Sequence, residues 1–138
     1  MKTLFLNFSK NTNGLTASLA HKSFNFNNIK TINLVNYKIN PLGQKFYDDD
    51  EFKEICNEIS KTDNIIIGTP IYWSSMSSYM KIFIDRMTEV MEENPFNNKK
   101  LFLVVCGTAP EDAFPHIKHV WEKISKRFNM QLVKSVSN

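Results

Sequence analysis

Two polar stretches, far apart in the chain, hold the residues whose types and spacing could do chemistry. The first is Ser9-Lys10-Asn11-Thr12-Asn13-Gly14-Leu15-Thr16, between an apolar run and a helical pattern. Hydroxyls and several backbone N–H groups meet there at a helix start, whose amino end carries roughly half a positive charge. A phosphate can be held at such a point without a lysine. Gly14 can take the positive φ that lets the backbone wrap closely, and Thr16 can cap the helix or donate its hydroxyl. Ser and Asn equally populate ordinary turns and N-caps, so this stretch alone leaves both readings open.

The second stretch follows Ile65, Ile66 and Ile67, three β-branched residues that suit a strand buried on both faces. Gly68, Thr69 and Pro70 are expected to end that strand, and Ile71, Tyr72 and Trp73 then lead into Ser74, Ser75, Met76, Ser77 and Ser78. From Ser77 a helix is expected, with Met80, Phe83, Ile84, Met87 and Met91 on one face and Lys81, Asp85 and Arg86 on others. Two large aromatics beside a proline at a strand's carboxyl end are badly placed for an interior core. Capping of the sheet or a subunit interface is the plain alternative to ligand contact.

The rest of the chain supplies the frame. Thr3–Phe8 reads as a first buried strand, Thr16 to about Phe24 as a short helix, and Thr31–Val35 as a second strand. Asn40-Pro41-Leu42-Gly43 breaks the chain, and Asp48, Asp49 and Asp50 read as a solvated helix start. Phe52, Ile55, Cys56 and Ile59 then form an amphipathic stripe. Leu101–Cys106 is apolar on both faces and closes at Gly107–Pro110. A further helix carries Ile117, Val120, Trp121, Ile124 and Phe128, with Asp112 as cap and Pro115 in its first turn, and Gln131–Val136 gives a last strand.

Strand and helix alternate four times before a fifth strand. That order predicts an α/β domain spanning 1–138, a doubly wound five-stranded parallel sheet in a three-layer sandwich with right-handed crossovers and the flavodoxin-like order 2-1-3-4-5. This order sets the loops after the first and third strands side by side where the strand order reverses, the place at which open sheets bind ligands.

Composition narrows the class further. With 138 residues, 42% hydrophobic and 22% charged, the chain is long enough to bury a sizeable core in one domain. The formal charge of +3 is scattered, so no nucleic-acid surface is expected, although anionic small ligands are compatible. No membrane-length apolar run and no signal-peptide layout is seen, so the expected location is the cytoplasm, with no membrane partner. Cys56 and Cys106 read as reduced core thiols. His21, His116 and His119 make no metal motif, and no metal is expected.

The two motifs together, Ser9–Thr16 and Thr69–Met76 running on to Lys81, Phe83, Ile84, Asp85 and Arg86, resemble the NAD(P)H-dependent FMN reductase branch of the flavodoxin-like flavoproteins. The resemblance implies FMN as cofactor, with NADH or NADPH as co-substrate. It sets the FMN phosphate on Ser9, Asn11, Asn13, Gly14, Leu15 and Thr16, and lays Pro70, Ile71, Tyr72, Trp73, Ser74, Ser75 and Met76 along the flavin ring and ribityl chain. Gly107 and Thr108, in the third loop, are expected to close over the cofactor. Asn11 stands where the family often has arginine, and Phe8 where it often has glycine; neither change removes the amide cradle. Some relatives carry an iron–sulfur cysteine cluster after the second strand, and only Cys56 is present there.

The physical logic agrees, since a flat ring suits contact with Tyr72 and Trp73 while backbone groups meet its polar edge. The implied reaction takes hydride from the nicotinamide and passes electrons to a quinone, azo, nitro or flavin acceptor, with no residue assigned as catalytic. Asp85 and Arg86 are read as helix packing or a salt link. A non-enzymatic flavodoxin-type electron carrier is the alternative, disfavoured by the positive charge. The first helix alone cannot cover the sheet face under 101–106 and 131–136. A homodimer or higher homo-oligomer, or a rearranged packing, is expected to bury it.

Overall fold

The computed structural model describes residues 1–138. Six strands and four helices succeed one another: β1 (Thr3–Asn7), α1 (Leu15–Ser23), β2 (Ile29–Asn33), α2 (Phe52–Ser60), β3 (Asn64–Tyr72), β4 (Ser75–Met76), α3 (Ser78–Arg86), β5 (Lys100–Cys106), α4 (Pro110–Arg127) and β6 (Gln131–Ser137). Short 3-10 turns at Leu34–Asn36 and Met87–Val90 come after β2 and α3. The main sheet is parallel in the order β2-β1-β3-β5-β6, and β4 pairs antiparallel with the outer end of β3. Counted without β4, this is the expected flavodoxin-like 2-1-3-4-5.

The two faces of the sheet are covered unequally. On one side a 23-residue cluster joins the strands to α2, α3 and α4, with Phe52, Phe83, Phe96, Trp121 and Phe128 among its aromatics. The stripe Phe52, Ile55, Cys56 and Ile59 is buried there, because helical spacing sets all four on the face turned to the sheet. On the other side the buried apolar cluster has only seven residues, and α1 is the single helix. Phe24 and Phe26, just beyond α1, extend its cover by packing edge-on against Phe102 with ring centroids 5.1 and 5.0 Å apart. Lys134 of β6 lies over the Phe24 ring at 5.9 Å. A rearranged packing therefore takes up part of the face that α1 leaves bare.

Several details of the frame differ from the sequence expectation. Gly68, Thr69 and Pro70 do not end the third strand, which runs on to Tyr72. The Phe8 N–H donates to the Gly68 carbonyl, so the polar backbone of Pro70, two residues on, faces the same side after β1 has stopped. A missing N–H costs nothing there. Asp50 is not solvated: Arg86, on α3, holds it through Nη1 at 2.7 Å and Nη2 at 3.2 Å. Ala109, in a left-handed conformation, precedes Pro110 at the first position of α4, so Asp112 lies inside that helix, as does Pro115. Met91 is exposed, because α3 gives way to the 3-10 turn before the stripe reaches it.

Candidate functional site

The register of the sheet brings the first two loops together. Asn7, the last residue of β1, is opposite Gly68 in the middle of β3; the chain leaves the sheet after Asn7, while β3 runs on beside β5 to Pro70 and into the hairpin. Ser77 ties the second loop back to the first strand: its hydroxyl donates to the Phe8 carbonyl at 2.7 Å and accepts the Met80 N–H at 3.2 Å, capping α3. Its own N–H donates to the Thr69 hydroxyl at 3.0 Å. Gly68 is needed for the approach of α1, since a Cβ there would lie 2.8 Å from Thr16 Cγ2 and 3.0 Å from Phe5 Cε1.

The first loop is held by an internal set of hydrogen bonds. Ser9 is buried, and its hydroxyl accepts the Asn11 N–H at 3.1 Å. Asn11, Asn13 and Leu15 are exposed, and Gly14 is half-buried. Gly14 adopts φ −91°, not the expected positive φ; the reason for a glycine is space, since a Cβ would meet that of Asn11 at 3.0 Å. The N–H groups of Thr12, Asn13, Gly14, Leu15, Thr16 and Ala17 have no acceptor within the protein, and α1 has no side-chain cap. The result is a row of free donors at a positive helix end. Cavities of about 310 and 570 Å³ flank this loop, and both are lined by Thr12, Asn13 and Gly14.

Thr16 faces inward. Its buried hydroxyl lies 3.1 Å from Cys106 Sγ, so it offers the loop its N–H, with the hydroxyl turned to the thiol. Burial pushes the Cys106 thiol up, against a smaller opposing effect of the Thr16 hydrogen bond. Cys56 is pushed up to about 12, chiefly by burial. Both groups are therefore protonated at neutral pH and are poor nucleophiles.

The second loop is a hairpin that the sequence did not announce. Ile71 pairs with Met76 and Tyr72 with Ser75, and Trp73 and Ser74 form the two-residue turn with φ of 49° and 60°. Both turn residues are left-handed, the geometry usually met by Asn-Gly. Trp73 is 100% exposed and Tyr72 39% exposed, while Pro70, Ile71 and Ser75 are half-buried and Met76 is buried. An indole fully in water on a strained turn makes no contact that would explain its place in the isolated chain. The third loop approaches from β5: Gly107 sits where a Cβ would meet Ile71 Cβ at 3.0 Å, and Thr108 is exposed beside it. The Asn138 side chain accepts the Gly107 N–H at 2.9 Å and donates to its carbonyl at 3.0 Å.

Sequence reasoning missed Asn7 and Ser77 at this site. Each is a polar residue wholly buried in a strand or cap, and each joins local partners to one that only the fold brings near, Asn33 for Asn7 and Phe8 for Ser77. A cavity of about 710 Å³ lies at the other end of the strands, among Lys2, Lys30, Lys61, Lys100, Phe26 and Phe102, away from all three loops.

Known proteins resemble this chain in sequence and in fold. YwqN of Bacillus subtilis (strain 168), which bears the name of an NAD(P)H-dependent FMN-containing oxidoreductase, is 29% identical over 107 residues, covering 72% of this chain and 59% of that protein. The chain thus spans about three fifths of the length of that relative. Among solved structures, the Trp repressor binding protein from Bacillus subtilis superposes with a TM-score of 0.79 at 23% identity, over 99% of this chain and 85% of the other. An FMN-dependent NADH-azoreductase from Bacillus anthracis, in complex with FMN, gives 0.69 at 13% identity over 99% and 86%. These two likenesses establish the flavodoxin-like fold. The family profile of NADPH-dependent FMN reductase matches residues 1–137, and on that match the chain belongs to the NADPH-dependent FMN reductase family.

Proposed function

We propose that the chain is an FMN-binding oxidoreductase that takes hydride from NADH or NADPH and passes electrons to a small quinone, azo, nitro or flavin acceptor. The observation that carries this reading is the row of unpaired N–H groups from Thr12 to Ala17, fixed by Ser77 and Phe8 beside a hairpin that holds Tyr72 and Trp73 in solvent. That donor set fits a phosphate, and the aromatic hairpin fits a flat ring on the same molecule. Bound FMN would supply the hydride chemistry.

The residues of the chain have distinct tasks in this scheme. The amides of Asn13, Gly14, Leu15 and Thr16 would hold the phosphate, with Ser9 and Asn11 shaping the loop. The backbone of Pro70 to Met76 would line the ring and ribityl chain, Tyr72 and Trp73 would give aromatic contact and exclude water, and Gly107 and Thr108 would close the far side. Neither cysteine is assigned a redox part, since burial holds both thiols protonated.

The same reading extends to location and assembly. Two free, buried cysteines suit the reducing cytoplasm. A homodimer or higher homo-oligomer is favoured by the bare aromatic hairpin and by β6, an edge strand with Val133 45% exposed.

Titration of the purified chain with FMN, followed by anaerobic stopped-flow mixing with NADPH or NADH, tests the proposal. The expected result is quenching of FMN fluorescence at micromolar protein and bleaching of the visible flavin bands by the nicotinamide. No quenching would overturn the cofactor assignment, and quenching without bleaching would overturn the enzymatic one.

A further inference from the structure

Asn7 is the last residue of β1, and none of its surface reaches solvent. Its side-chain amide is fully engaged by groups from both sides. Oδ1 accepts the Ser9 N–H at 3.1 Å, while Nδ2 donates to Asn33 Oδ1 at 2.9 Å and to the Asn11 carbonyl at 3.3 Å. The orientation is set by the backbone partners: a reversed amide would set Nδ2 against the Ser9 N–H and Oδ1 against the Asn11 carbonyl. One side chain therefore fixes both ends of the turn at 9–11 and anchors it to β2.

The effect on the loop is specific. Asn7 takes the inward-facing polar groups of Ser9 and Asn11, and the Ser9 hydroxyl takes the Asn11 N–H. The next free donors are those of Thr12 to Ala17. We infer that Asn7 is the positioning residue of the phosphate loop, holding its amides in the anion-binding arrangement before any ligand arrives. This rests on the flavin reading for the identity of the ligand, although the loop itself can be probed with inorganic phosphate. An apolar residue of similar size would leave the buried Ser9 N–H and the part-buried Asn11 carbonyl without their partner, and the loop would turn to satisfy them. Aspartate would set a carboxylate oxygen against two acceptors and add negative charge below the anion site.

The test compares FMN with riboflavin, which has the same ring and no phosphate, in wild type, Asn7→Leu, Asn7→Asp and Asn33→Val. Inorganic phosphate is scored separately, by the rise in melting temperature that it gives the apo chain. Asn7→Leu is expected to weaken FMN about tenfold, and Asn7→Asp about a hundredfold, with riboflavin unchanged and the phosphate-induced rise lost. Asn33→Val, at the half-buried edge strand, removes only the anchor and is expected to weaken FMN about threefold, again sparing riboflavin. It serves as the deciding variant if both Asn7 variants fail to fold. Equal losses for FMN and riboflavin, or no loss for either, would overturn the positioning role while leaving the flavin reading intact. A wild type that ignores flavin, yet shows a phosphate-induced rise that depends on Asn7, would sink the flavin reading and keep the positioning role. A wild type without that rise and without preference for FMN over riboflavin would overturn the role itself.

Discussion

The Ser77 hydroxyl donates to the Phe8 carbonyl at 2.7 Å, across a sequence separation of 69 residues. This bond joins the end of the first loop's strand to the cap of α3, so the two loops of the crevice cannot drift apart without breaking it. Ser77 is fully buried, and its hydroxyl also accepts the Met80 N–H. Ser77→Ala removes a helix cap and leaves the Phe8 carbonyl unpaired, for an expected loss of about 2 kcal/mol in urea unfolding. FMN affinity should fall with it, as read by fluorescence quenching. A variant with unchanged stability would show that the crevice is held together by other contacts.

Arg86 and Asp50 provide a pH-dependent counterpart on the α2–α3 side. Their side chains are only 11% and 18% exposed, so the pair is partly shielded from water. Burial alone pushes the Asp50 carboxyl up, but hydrogen bonds from Arg86 and from the Asn40 and Phe52 amides, with the charge of Arg86, hold it below the ordinary 3.8. A pKa lowered on folding contributes stability that is complete above the unfolded value and is lost as pH falls through the folded one. The urea midpoint should therefore fall below about pH 4, and an Asp50→Asn variant should show a smaller fall over the same range. Arg86→Ala leaves Asp50 half-buried and without its cation, and should cost about 3 kcal/mol at neutral pH. Denaturation of the three proteins across pH checks both statements.

The hairpin turn sets stability against binding. Trp73 and Ser74 both adopt left-handed backbone that asparagine and glycine accept more readily. Replacing the pair with Asn-Gly should raise stability by about 1 kcal/mol, because the indole is fully exposed and has no packing to lose. The same replacement should weaken flavin binding and reduce quenching of FMN fluorescence, since an aromatic wall is removed. Calorimetry and titration on one pair of samples measure the two effects; a stabilised protein with undiminished affinity would remove Trp73 from the site.

Much of this arrangement is legible in the residues, and the remainder is hidden for identifiable reasons. Ile65–Ile67, Leu101–Cys106 and the stripe Phe52, Ile55, Cys56 and Ile59 show their periods locally, so strands, helix and the 2-1-3-4-5 order can be read. Ser77, expected to begin a helix, caps α3. Trp73-Ser74 carries no turn signal, which conceals the hairpin, and Pro70 within a strand is tolerated only because β1 ends before reaching it. Asp50 looks like a solvated helix start until Arg86, 36 positions away, is brought to it, which is the salt link expected of Arg86, and nothing near Asn7 in the chain shows that Asn33, 26 positions on, is its partner. Long-range polar pairing leaves no periodic trace.

The third strand lives in two environments along one length. Asn64 to Thr69 is sealed in the interior, while Ile71 and Tyr72 project past the end of β1 into the hairpin. Sequence drift at the tip can therefore retune which molecules dock there without disturbing the interior, and a lineage can change its chemistry while inheriting its scaffold unaltered.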